Sequence, residues 1–121
     1  MFVSAQGSPA ARFKRALATR NPTIAWAAAC ELPRIELAEA LDLCLLVVHD
    51  PSRYQRAATR WHARYCTELR GVTLVEAQLV AAALAALPHG SASTAAAEAL
   101  ARLADQRGLG QVVRVLDGWA D

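Results

Sequence analysis

A chain of 121 residues with a formal net charge of +2 is the size of one domain, large enough to bury a core without disulfides or a structural metal. Hydrophobic residues supply 55% of it and aromatics only 6%, with alanine making up much of the difference. That composition, poor in glycine, proline and β-branched runs, argues for helices and against sheets.

Punctuation divides the chain into about six or seven helices. Ser8-Pro9 reads as a cap followed by proline at the first helical position, so residues 1–8 are expected to form a flexible tail. The first helix runs to about Thr19, with Phe13 and Leu17 inward and Arg12 and Arg15 outward. Asn21-Pro22 repeats the start signal for a second helix, which carries Ile24 and Trp26 and is broken at Leu32-Pro33. The third spans about Ile35 to His49. Leu41, Leu43, Cys44, Leu45, Leu46, Val47 and Val48 cover most of its circumference, so it is expected to be the central, many-sided buried element.

Asp50 and Pro51 open the fourth helix, and Gly71 closes it. Thr73 and Glu76 have the spacing of a capping box for the fifth, which runs to about Ala86. Leu87 to Ser91 reads as a loop. The sixth helix is expected from about Thr94 to Arg107, stopped by Gly108, and a weaker seventh from about Gln111 to Trp119. The fold class is therefore all-α, a single domain over 1–121 packed as antiparallel hairpins. The echo between Ala38-Glu39-Ala40-Leu41 and Ala97-Glu98-Ala99-Leu100, each downstream of a Leu-Pro break, raises a HEAT-like superhelix beside an irregular bundle.

The fourth helix holds the candidate site. Tyr54, Ala58, Trp61, Tyr65 and Leu69 recur at spacings of four, three, four and four, which is one helical face. Arg53, Arg56, Arg60 and Arg64 recur at three, four and four on a neighbouring stripe. The aromatics read as the core-facing side and the guanidinium groups as the side offered to a partner.

Charge is distributed in blocks. Residues 1–30 are basic, 31–50 are acidic through Glu31, Glu36, Glu39, Asp42 and Asp50, and 51–70 are basic again. Because the total nearly balances, the favoured expectation is mutual neutralisation, with an acidic helix between two basic ones. A basic surface for nucleic acid or an acidic protein is the competing expectation.

The residues just described have a familiar texture. Ala25 to Leu32, Leu37 to Val48, and the Asp50, Pro51, Tyr54, Trp61, Tyr65 pattern with its interleaved arginines resemble small alanine- and arginine-rich helical proteins common in actinobacteria. The likeness covers about Ala25 to Pro88. It implies a bacterial, cytoplasmic, helical protein and transfers no functional residue.

Chemistry has few footholds. Cys30, Cys44 and Cys66 form an odd set in apolar surroundings, which fits reduced thiols better than a disulfide framework. His62 and Cys66 have the spacing of two metal ligands, but nothing completes a set of three or four, so no metal site is assigned. Cys44 lies in a leucine-valine run, Cys66 has no oxyanion loop, and Gly108-Leu109-Gly110 lacks the ending of a phosphate loop. No catalytic residue and no cofactor are assigned. The N-terminus has no basic region followed by an apolar run, and the uncharged stretch from Ala77 to Ala97 is interrupted at Pro88-His89-Gly90, so neither a signal peptide nor a membrane span is expected. The reading that remains is a non-enzymatic binding or scaffold module. Its partner is a protein or a second copy of itself, met through Arg53, Arg56, Arg60 and Arg64. Nucleic acid bound along the same stripe is the alternative.

Overall fold

The computed structural model describes residues 8–120, whose regular elements are seven α-helices with no strand among them. They are α1 (Pro9–Ala18), α2 (Pro22–Cys30), α3 (Leu37–Leu46), α4 (Pro51–Glu68), α5 (Leu74–Ala86), α6 (Gly90–Gln106) and α7 (Gly110–Ala120). The expected tail falls almost entirely on residues 1–7, which lie outside the described residues.

Local chemistry starts most of these helices where expected. The Ser8 hydroxyl accepts from Ala11 N–H at 3.3 Å, the Asn21 carbonyl from Thr23 and Ile24, the Asp50 carboxylate from Arg53, and the Thr73 hydroxyl from Glu76. Each satisfies amide donors that the first turn leaves orphaned. Proline follows the cap in α1, α2 and α4. The helix α6 differs from expectation. It begins at Gly90, inside the expected loop, because first-turn amides need no intrahelical partner and glycine and serine there forfeit little. Its end is a Schellman motif: Gly108, at φ +73°, donates to Asp105, and Leu109 donates to Ala104.

Packing follows chain order and then closes. From α3 to α7 each helix meets its successor, and α7 returns to lie against α3. An open superhelix has no such return contact, so of the two expected architectures this is the irregular bundle, a ring of helices around one core. Leu41, Leu45, Val48, Trp61, Tyr65 and Leu84 all belong to that core, as the fourth-helix periodicity requires. Its buried polar tips are partnered. Trp61 Nε1–H donates to the Leu37 carbonyl at 2.8 Å, the Tyr54 hydroxyl donates to the Leu84 carbonyl, and the Tyr65 hydroxyl donates to Glu76 at 2.6 Å.

The hairpin of α1 and α2 forms a second, smaller core from Phe13, Ala16, Leu17 and Ala25, docked on Leu43 of α3. The helix α3 therefore separates two cores, with Leu41, Cys44 and Leu45 facing one and Leu43 the other. That is why its sequence is apolar on several sides. In α2 the bulky Ile24 is exposed and the small Ala25 is fully buried.

Candidate protein-interaction groove

The α1–α2 hairpin and the ring meet at a groove of about 900 Å³. One wall is α4, presenting Arg56, Thr59, Arg60, Ala63 and Arg64. The other is α2 and the connection after it, presenting Trp26, Ala29, Cys30, Leu32, Arg34 and Ile35. Ala40, Leu43, Ala57 and Trp61 lie at its base. Among the described residues no carboxylate lines the groove.

The arginine row is not uniform. Arg53 at the N-terminal end pairs with Asp50 at 3.7 Å. Arg64 at the other end has a side chain only 18% exposed and holds Glu68 at 2.7 Å. Glu68 also receives Arg34 at 3.1 Å, so one carboxylate ties the α2–α3 connection to the end of α4. The hydrogen bond from Arg64, with the nearby Arg34 charge, holds the Glu68 carboxyl below its ordinary range. Beyond this bridge lies a second cleft of about 590 Å³, whose lining includes Glu36 and Glu68 and so lacks the purely cationic character of the first.

Between the paired ends stand Arg56 and Arg60. Both are exposed, and among the described residues neither makes an ion pair. The Arg53 and Arg56 guanidiniums lie 5.6 and 5.9 Å from the centroid of the Trp26 ring. That cation–π contact joins α2 to α4 and restrains Arg56.

The expected neutralisation of charge blocks is therefore partial, because of the second basic block only Arg53 meets the acidic segment, at Asp50. Arg12 pairs with Glu31 and Arg20 with Asp42, so the first basic helix meets the acidic segment. Arg56 and Arg60 do not, because α3 approaches α4 through its apolar side.

Two further groups considered for chemistry have settled partners. Nε2 of His62 lies 2.8 Å from the Ala77 carbonyl, which makes that nitrogen a donor. It is thus unavailable to accept a proton from Cys66, whose sulfur is 3.7 Å away, or to bind a metal. Burial of Cys44 pushes its thiol up to about 12, so it stays protonated and unreactive. Among the described residues no cluster of His, Cys, Asp and Glu sufficient to hold a metal ion occurs, and no helix is long and apolar enough to cross a membrane.

Trp26 and Arg34 are site residues that sequence reasoning did not select. Trp26 was visible as the one bulky aromatic in an alanine-rich helix, but its partnership with α4 spans two connections. Glu76 is a second surprise. Its backbone completes the Thr73 cap, but its side chain leaves the capping box to meet Tyr65 and Arg107. Comparison with known proteins found no matching family model, no similar curated protein and no similar solved structure.

Proposed function

We propose that this chain is a non-catalytic binding module of the bacterial cytoplasm, and that a protein partner enters the groove between α2 and α4. The observation that carries this reading is the combination, among the described residues, of an apolar base, Arg56 and Arg60 without an ion pair, and no lining carboxylate. Arginine and tryptophan are among the residue types most enriched at binding hot spots. A nucleic acid would use the guanidiniums but leave the apolar base without a partner.

Affinity capture from nuclease-treated bacterial lysate, with the wild type beside the Arg56→Glu/Arg60→Glu variant, tests it. Protein that is retained by the wild type after nuclease and lost by the variant supports the reading. Capture that disappears with nuclease, together with duplex-DNA affinity falling steeply with salt, contradicts it and identifies a phosphate-binding stripe.

Self-association is a second reading, favoured by a different surface. On α5, Leu74, Val75 and Leu79 are 75%, 65% and 52% exposed, and Gln78, Ala81, Ala82 and Ala85 beside them are exposed and uncharged. Two copies meeting there bring no like charges together, and alanine permits close helix approach. Sedimentation velocity should show a concentration-dependent dimer that Leu74→Glu/Leu79→Glu abolishes; a monomer at every concentration removes this reading.

A further inference from the structure

Resting on the groove reading above, we infer that the occupant is an acidic amphipathic helix, with its apolar stripe against Trp26 and the groove's alanines and two carboxylates one turn apart on Arg56 and Arg60. Charge sets the sign of the partner. Every charged side chain lining the groove is an arginine. Arg34 and Arg64 share the single carboxylate of Glu68, whereas Arg56 and Arg60 have no acidic partner among the described residues, so most of the uncompensated charge stands at Arg56 and Arg60.

Spacing sets the form. Arg56 and Arg60 are one turn apart on α4, ~6 Å along its axis, the same separation as carboxylates four residues apart on a helix laid beside it. From Arg56 to Arg64 the wall runs ~12 Å, about two turns, enough to meet apolar anchors at i and i+3 or i+4. An extended segment adding to a sheet is the other common mode of peptide capture, and it needs a strand edge. Among the described residues there is no strand.

Volume sets the anchors. Ala29, Ala40, Ala57 and Ala63 line the groove with methyl groups only. A leucine or phenylalanine from the partner fills the space those alanines leave. Trp26 is half-buried and already restrained by Arg53 and Arg56, so packing against it loses little conformational entropy.

The test is selection of a displayed, helix-biased random peptide library on the full chain, followed by titration of the enriched peptides. Enriched sequences should carry Glu or Asp at i and i+4 beside an apolar stripe, and their helical circular dichroism signal should rise on mixing. Arg56→Glu/Arg60→Glu should weaken them about tenfold or more, and exchanging the peptide's two acids for lysine should restore binding to that variant. Ala63→Trp, at an exposed position that obstructs the groove, should also weaken them while the melting temperature holds. Neutral, basic or extended peptides that still depend on Arg56 and Arg60 would overturn the helical occupant and leave the groove reading standing. Enriched peptides indifferent to both variants would overturn both. A selection that enriches nothing overturns the acidic helix as occupant.

Discussion

The ring of α3 to α7 and the α1–α2 hairpin are held together by different means. The ring is built around Trp61, Tyr65 and Tyr54, whose polar tips all find partners inside the fold. Its periphery is locked by Glu76, which receives Tyr65 from α4 and Arg107 from the end of α6. The hairpin has one fully buried large side chain, Phe13, among alanines and Leu17. Its ion pairs are the exposed Arg12–Glu31 and Arg20–Asp42, and Trp26 meets Arg53 and Arg56 of α4. Exposed pairs each contribute only ~0–1 kcal/mol. The difference teaches where the groove draws its parts: Arg56, Arg60 and Arg64 stand on the ring, and Trp26 and Arg34 on the wall formed by α2 and the connection after it.

The sharpest way to break this comparison is to cut one aromatic from each core. Trp61→Ala should cost ~3–5 kcal/mol and loosen the whole domain in denaturant titration. Phe13→Ala should instead raise hydrogen exchange in α1 and α2 while α4 to α7 keep their protection. Equal acceleration in every helix would show that the two regions unfold as one.

Acid should separate the regions next. The hydrogen bond from Arg107, with that from Tyr65, holds the Glu76 carboxyl below its ordinary range. A depressed folded value means that the unfolded state binds the proton more readily. The stabilisation is therefore complete above the unfolded carboxylate value of ~4.3 and is lost as pH falls through the lower folded value. Glu76→Gln should lower the melting temperature at pH 7 and flatten its dependence on acid below pH ~4. An acid dependence as steep in the variant as in the wild type would remove Glu76 from the account of ring stability.

The smallest effect concerns the hairpin's turn. Arg20 sits at φ 58°, a left-handed position that usually favours glycine, and its guanidinium reaches both the Leu17 carbonyl and Asp42. Arg20→Ala loses those contacts and keeps the strain; Arg20→Gly loses them and relieves it. The glycine variant should be the more stable of the two by ~1 kcal/mol, measured by thermal unfolding. Equal melting temperatures would mean that the turn stores no such strain.

What was legible in the sequence was local. Caps at Ser8, Asn21, Asp50 and Thr73 act within three residues, and the Tyr54–Trp61–Tyr65 stripe is a property of one helix. The buried circumference of α3 was also visible, although its division between two cores was not. What escaped depends on distant partners. Whether Arg56 and Arg60 are paired depends on which side α3 turns toward them. The groove depends on α2 returning to α4, and Glu76 finds Arg107 far along the chain. Even the exposure of Ile24 beside buried Ala25 is decided by which face of α2 meets α1 and α3, not by residue type.

The most direct test of the groove as the binding face is a hydrogen-exchange footprint of the full chain saturated with a peptide selected on it. Protection is expected in α2, in residues 32–35 and in residues 56–64, with the exchange of α5 and α6 unchanged. Protection confined to α5, or none in α2 and α4, would contradict the groove as the place where this molecule meets its partner.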